Sequence, residues 1–493
     1  MNELNDHMHL TGHQKALVHA LDNVLRTYPS EIRYNEICTI TRKLENDLLK
    51  TFKETPGMVY RLDAIAWTHC HYKVTQHFKK VLKLINNKHV VERKLLKKQL
   101  KKFLSSCTVF YEVCITEVTI HSSIFQYKPF LQDWILKHTG IALSCSSQTH
   151  LSPASFSKSY TEALECIYQC FIYLGDVARY FAILLNRPAT YERALKYYHL
   201  AHQTFPGNGM HCNQMAVIWA VKGHTIMSVY WFSIALASEI PPKTALLNLM
   251  GQLELFYKRA YETGFHFSSE TLNLLVVFSD LLLRQSKKLE SFRSSRPMLK
   301  SLISHFFNSD ISCSESLNGL ELYSLSSFIC NLRSRSIFRS NESLHKVFIH
   351  YITWLINQTT SCNGRIAENK TPLSRANIFL PSLKILLIHI LEHLPSCNFI
   401  DQRQLKKLSL SLLAIQPLFP AFNEPLEKTK LTLFEDYNEM GLHPSLATVT
   451  KTNYGDINLP LFSSDKIQSQ AHPLLEAKAR LQQILIMIEL LLS

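Results

Sequence analysis

Apolar residues recur at three and four spacing through Leu17 to Leu25, Ile37 to Phe52, Val59 to Ile85 and Val90 to Val118. That period marks one face of a 3.6-residue turn and predicts long amphipathic helices. A serine-rich break, Ser144 to Ser159 with Pro153, precedes a second helical run from near Tyr160 to about Gly264. A third helical region is interrupted by the basic stretch Lys287 to Lys300, the Ser/Arg-rich Arg333 to Ser340 and a polar loop expected at Thr359 to Thr371. Helices are expected again at Leu373 to Leu394, Leu405 to Leu413 and about Pro473 to Leu492.

The second run carries an internal repeat. Ala194, Tyr198, Ala201 and Pro206 stand as in the second helix of a tetratricopeptide unit, and Ser228, Phe232 and Ala235 follow 34 residues later. Small residues let paired helices approach closely, the aromatic fills the groove between them, and proline stops the helix. The first helices are read as starting at Leu174 and Gly175, then at Met215 and Ala216, 41 residues apart, with the extra residues around Ile183 to Ala189. Stacked helical hairpins make concave surfaces that bind peptides. The alternative is a chance run of alanines in an ordinary bundle.

Composition narrows the function classes. With 493 residues, 46% of them apolar, the chain can bury a large core, and only 13 Gly and 18 Pro disfavour sandwiches, barrels and glycine-cradled nucleotide sites. An all-α fold is expected. The amino terminus lacks the basic patch and apolar core of a signal peptide, and the most apolar stretches, Leu274 to Leu283, Ile378 to Leu394 and Leu481 to Leu492, read as buried helices, so no membrane partner is expected. The 12 cysteines include no C-x-x-C pair, which points to reduced thiols. Local His groups have no H-E-x-x-H form, so neither a metal nor a cofactor is expected. Nucleotide-loop and nucleophile-elbow patterns are absent, and acidic residues are dispersed. No enzyme is expected.

The net charge is +14, and eleven Lys/Arg fall between Lys73 and Lys102 against one acid, Glu92. Lys94, Lys97, Lys98, Lys101 and Lys102 cover one side of a helix whose other side is Val91, Leu95 or Leu96, Leu100 and Phe103. Such a stripe can neutralise successive nucleic-acid phosphates, or be a solvated face. Ile172, Gly175, Arg179 and Ala182 share another helical stripe, while Lys73 and Lys80, seven apart, project from one side beside Trp67, Tyr72 and Phe78. Lys73, Lys80 and Arg179, with Tyr180 and Asn213 as neutral donors, suit a doubly charged phosphate. The alternative pairs Arg179 with a structural carboxylate such as Asp176.

CFIYLGDVARY, then ERALKYYHLAHQTFPGNGMHCNQMAVIWAVKG and VYWFSIALASEIPPKTALLNL, resemble the ever-shorter-telomeres telomerase-regulator family and its nonsense-mediated-decay relatives. The W-x-x-x-x-Y-K of Trp67 to Lys73 resembles the helix before the family's basic pocket, and LFEDYNEMGLHPSL, Leu433 to Leu446, resembles an element of its carboxyl-terminal domain. The resemblance implies a 14-3-3-like tetratricopeptide helical-hairpin array at 1–264 that binds phosphopeptides. An α-helical carboxyl-terminal domain at 265–493 would follow, without the PIN nuclease domain of some members. It makes Lys73 and Arg179 the principal phosphate ligands, with Tyr180 supporting Arg179. Lys80 is a further basic ligand, and Asn213 and Asn248 hold the peptide backbone. The segment Phe181 to Thr190 and Cys212 depart from the family pattern. The implied function is a nuclear, telomeric, non-catalytic telomerase accessory subunit. Its partners would be a phosphorylated Ser/Thr telomere protein, the telomerase catalytic subunit and RNA, and single-stranded telomeric DNA. The alternative is a nonsense-mediated mRNA decay adaptor that binds a phosphorylated helicase.

Overall fold

The structure, a computed structural model, describes residues 10–26, 31–54, 62–85, 90–126, 128–140, 158–264, 267, 269–285, 319–334, 342–368, 379–393 and 402–415, and residues 481, 484, 485, 487 and 488. The readings at 144–157, 287–300, 335–340 and 433–446 lie outside these residues, as does most of the terminal helix. Among the described residues the secondary structure is helical, apart from an isolated bridge between Asn208 and Ile240. Packing divides the chain into two units, Met1–Pro206 and Gly207–Ser493.

The first unit holds α1 (Gly12–Arg26) and α2 (Glu31–Glu54). Helix α3 runs continuously as Leu62–Ala66, a π turn at Trp67–His71, and Tyr72–Leu84. The helices α4 (Val90–Ser122), α5 (Pro129–Thr139), α6 (Lys158–Leu184) and α7 (Thr190–Thr204) follow. By length and composition α4 is apolar enough to cross a membrane. Its Cys107, Phe110, Tyr111, Cys114 and Ile115 are nevertheless buried in this unit's core, where α6 packs against it. The π turn buries His69, Cys70 and His71 in succession. Three helices surround it: Trp67 stacks on Tyr173 of α6, and His71 reaches Glu45 of α2 and Tyr111 of α4. The widened turn lets adjacent residues face different neighbours.

Helices α6 and α7 form the first hairpin of the repeat. Gly175 is where they touch most closely, since a Cβ there would lie 2.2 Å from Cε1 of Tyr198. Ala194, Tyr198 and Ala201 are fully buried, as the repeat requires. The hairpin differs at its start, because α6 begins at Lys158, well before Leu174. The extra residues complete α6 and form the turn at 185–189, where the Arg187 amide bonds Ala182 O at 2.9 Å.

The second unit begins with α8 (Met210–Val221) and α9 (Thr225–Ala237), joined at Gly223, whose φ of 81° favours glycine. Ser228 Oγ donates to Ala216 O at 3.0 Å across this hairpin, and Phe232 and Ala235 are buried. The unit continues with α10 (Ala245–Glu262), α11 (Glu270–Gln285), α12 (Gly319–Ser334), α13 (Glu342–Ala367), α14 (Leu380–His393) and α15 (Gln402–Ile415). Helix α9 packs on α8, α10 and α12. Asn331 Nδ2 donates to Ser233 Oγ at 3.2 Å, so the second hairpin shares its core with later helices. The division after Pro206 falls upstream of the domain boundary expected at residue 264.

Two local expectations are corrected. Thr359 to Ala367 is helical, the end of α13. Thr359 and Thr360 turn their hydroxyls back to Leu355 O and Ile356 O, both at 2.8 Å, and Cys362 and Ile366 are buried, so polar composition here marks no loop. Val91, expected on the apolar side of α4, is 80% exposed, because the buried stripe starts one turn later at Leu96.

Candidate functional site

In the first unit, α3 presents Lys73 and Gln76 one turn apart, and α6 presents Asp176, Arg179 and Tyr180. Arg179 Nη2 donates to Asp176 Oδ1 at 2.8 Å, and the guanidinium lies 4.9 Å from the Tyr180 ring centroid. The same Asp176 oxygen accepts the Tyr198 hydroxyl at 2.7 Å, so α7 braces the carboxylate that orients the arginine. Burial lowers the Arg179 pKa, but Asp176, Tyr198 and Tyr180 reverse this and hold it well above the ordinary arginine value. The group stays cationic. Burial and Asp176 together keep Tyr198 protonated against the opposing pull of Arg179. Arg179 Nε is buried with no hydrogen-bond partner among the described residues.

Lys73 Nζ donates to both Asp22 oxygens, at 2.9 and 3.1 Å. Lys73 and Asp22 side chains are 37% and 31% exposed, whereas Arg179 and Asp176 are 13% and 8% exposed. Water competes well for the first pair and poorly for the second. The lysine is thus the exchangeable charge and the arginine the fixed one. Gln76 Nε2 donates to the Tyr180 hydroxyl at 3.4 Å, which ties α3 to α6 beside these charges. Trp67 stacks on Tyr173 at 4.6 Å and lies near-parallel to Tyr180 at 6.5 Å, giving the site an aromatic wall.

The expected phosphate residues thus divide. Arg179 and Tyr180 are in contact, and Gln76 connects them to the helix of Lys73. Arg179 also makes the Asp176 pair that was its alternative reading. Lys80 is exposed on the next turns of α3, near His77, whose pKa is lowered by burial and then by the Lys80 charge. In the second unit, Asn213 and Asn248, 35 positions apart, meet directly: Asn248 Nδ2 donates to Asn213 Oδ1 at 2.9 Å. Asn213 is buried and Asn248 half-buried.

On α4, Lys94, Lys98, Lys101 and Lys102 are exposed and Lys97 is half-buried, above the buried Leu96, Leu100, Phe103 and Leu104. At 1.5 Å per residue the stripe is roughly 12 Å long. Asp22 and Gln76 escaped the sequence reading, although Gln76 sits one turn from Lys73 on the same face. Tyr198 was read only as a groove-filling ring, and its hydroxyl is the part that reaches the site.

Tertiary contacts also gather donor groups that have no local pattern in the chain: Glu45, His71 and Cys107, and Asp63, Cys166 and Cys170. In the first group His71 Nε2 bonds Glu45 Oε1 at 2.9 Å and His71 Nδ1 bonds Tyr111 at 2.8 Å. Ser106 donates to the other Glu45 oxygen at 2.7 Å, so this group forms a closed hydrogen-bond network.

Comparison with known proteins gives two family matches. Residues 61–185 match the family described as telomerase activating protein Est1, and residues 194–448 match the Est1 DNA/RNA binding domain. The chain is 38% identical over 461 residues to the telomere elongation protein est1 of Schizosaccharomyces pombe, covering 93% of each. It is 27% identical over 199 residues to the telomerase-binding protein EST1A of Danio rerio, covering 40% of this chain and 12% of the relative. It is 25% identical over 244 residues to the nonsense-mediated mRNA decay factor SMG5 of the same organism, covering 47% of this chain and 20% of the relative. Its fold is similar to a chain in the crystal structure of Est1 and Cdc13, with a TM-score of 0.61 at 13% identity over 98% of this chain and 96% of that one.

Proposed function

The chain belongs to the Est1 family, and from that membership we propose that it is a non-catalytic telomerase accessory subunit acting at telomeres in the nucleus. Residues 1–264 dock a phosphorylated Ser/Thr telomere protein, and residues 265–493 form the carboxyl-terminal part of the subunit. Lys73, Lys80 and Arg179 hold the phosphate, Tyr180 supports Arg179, and Asn213 with Asn248 holds the peptide backbone. Lys94, Lys97, Lys98, Lys101 and Lys102 hold the backbone of telomerase RNA or of single-stranded telomeric DNA. The catalytic subunit of telomerase is brought to the chromosome end through these contacts.

The observation that carries the phosphate site is the pre-oriented Arg179. Asp176 uses one of its five N–H donors, the Tyr180 ring flanks its plane, and Nε has no partner among the described residues. A dianionic phosphate offers the charge and the planar pair of acceptors that such a guanidinium binds best. Lys73 supplies the second charge by exchanging its half-exposed Asp22 partner for the phosphate.

Calorimetry with phosphoserine and phosphothreonine peptides of telomere proteins tests the site. Binding is expected for phosphorylated peptides and is abolished by Arg179→Glu, whereas equal affinity for the variant removes the site. Sequencing of RNA that co-purifies with the chain tests the pathway. Telomerase RNA supports telomerase recruitment, and bulk messenger RNA with decay factors replaces it by a decay-adaptor role.

A further inference from the structure

We propose that Asp22 is a resident competitor at the phosphate site proposed above, on which this reading rests: it occupies Lys73 and so lowers the affinity of the site for every anion. Helix α1 holds it in place. Thr11 and Gln14 cap the first turn reciprocally, the Gln14 amide donating to Thr11 Oγ1 at 3.2 Å and the Thr11 amide to Gln14 Oε1 at 3.0 Å. Gln14 Nε2 also donates to Thr51 Oγ1 of α2 at 3.0 Å, and Gln14, Val18 and Leu21 are buried along one stripe. Asp22 stands at the edge of that stripe, four residues after Val18, and meets Lys73 across 51 positions of sequence.

The two acid–base pairs of the site are built differently. Asp176 is buried, shares its Oδ1 with Tyr198 and takes one donor of Arg179, so it orients the arginine and stays. Asp22 is half-exposed, and Lys73 is its one partner among the described residues. Both its oxygens converge on the ammonium, and no further side chain ties either of them among those residues. A lysine is a point charge on a flexible four-carbon stem, so it can leave the carboxylate for a phosphate without moving α1 or α3. Water then resolvates Asp22, which remains beside the phosphate as a like charge.

Releasing Lys73 costs every anionic ligand the same pair, so Asp22 leaves their ranking intact and moves the threshold. A glutamate side chain exchanges one carboxylate for another at Lys73 and gains nothing there. A phosphate brings a second charge and further acceptors, which Arg179 uses as well. In a chain of net charge +14, such a threshold keeps acidic segments off the site and leaves it to phosphorylated ones.

The test is calorimetry of the full chain with a phosphothreonine peptide of a telomere protein and with the same peptide carrying glutamate at that position. Asp22→Asn keeps the shape and removes the charge. It should tighten phosphopeptide binding by about 2- to 5-fold, the span of an exposed ion pair, and strengthen the glutamate peptide too. Asp22→Ser should do the same, which separates the lost charge from the new amide. In the Lys73→Gln background the gain should largely disappear, because there is no ammonium to release. Unchanged or weaker phosphopeptide binding by both Asp22 variants overturns the proposal and makes Asp22 a support for Lys73. A full gain in the Lys73→Gln background, or none for the glutamate peptide, also overturns it. If neither the wild type nor Asp22→Asn binds the phosphopeptide, the phosphate site itself is lost and its competitor with it.

Discussion

Tyr198 and Arg179 share one acceptor: the hydroxyl of the first, at 2.7 Å, and Nη2 of the second, at 2.8 Å, both point at Asp176 Oδ1. The repeat's groove-filling aromatic therefore also positions Arg179, the proposed phosphate ligand. Shape and electrostatics are served by one side chain.

Replacing Tyr198 with Phe keeps the ring and removes the bond. Asp176 is buried and charged, so the loss should cost about 1.5–3 kcal/mol, the range for a hydrogen bond to a charged group. Urea unfolding measures it. Phosphopeptide affinity should fall less than for Arg179→Glu, because Arg179 keeps its contact with Asp176; equal losses would place the tyrosine in the binding step itself.

Gly175 to Ala puts a methyl group where Tyr198 already stands, with Cε1 at 2.2 Å. The hairpin must open, at a cost of about 1–3 kcal/mol or more. In the Tyr198→Leu background the same change should cost much less, and a double-mutant cycle reads the coupling. Additive costs would show that the two residues do not meet.

For the asparagines, the 2.9 Å amide pairing makes Asn213 and Asn248 act as one unit. Each change to Ala should weaken phosphopeptide binding. The double variant should be little worse than either single one, because the first substitution already disrupts the pair. Fully additive losses in calorimetry would mean that the two amides contact the peptide independently.

Along α4, changing Lys97, Lys98, Lys101 and Lys102 to Glu should weaken RNA binding and flatten its salt dependence. Each lost phosphate contact lowers the log–log slope by about 0.7 for a single strand. An unaltered slope would leave the stripe as a solvated face and direct attention to residues 194–448, which match the DNA/RNA binding domain.

Acid should weaken the first unit through His199. Burial pulls its pKa down to about 4, while in the unfolded chain it titrates at roughly 6.5. Between those values the unfolded state binds a proton that the folded state refuses. Its contribution is complete above roughly pH 6.5 and is lost as the pH falls towards about 4, by on the order of 1 kcal/mol per unit. His199→Asn should flatten stability against pH across that window in denaturant titrations; a parallel curve would assign the acid sensitivity elsewhere.

The periodicity of apolar residues, read alone, was enough for the helical class and for most helix positions, because the stripe a helix buries is written locally, turn by turn. It was enough, too, for the Ala194, Tyr198 and Ala201 hairpin, whose small and aromatic residues have one packing use. Arg179, Tyr180 and Asn213 were singled out by stripe and donor type, with Asp176 as the alternative partner of Arg179, and Asn248 by a resemblance; the other partners came only from the fold. Asp22 and Lys73 are 51 residues apart, Asn213 and Asn248 are 35 apart, and Gln76 meets Tyr180 across 104. Periodicity carries no information about which helix faces which. The same holds for the end of α13, where threonines that look like a loop are satisfied by their own helix, and for the cysteines. No local spacing marks Cys166 and Cys170 as neighbours of Asp63. They meet because the apolar stripes of their helices must be buried together, and that packing, decided at the tertiary level, sets which polar and sulfur atoms share the space between them.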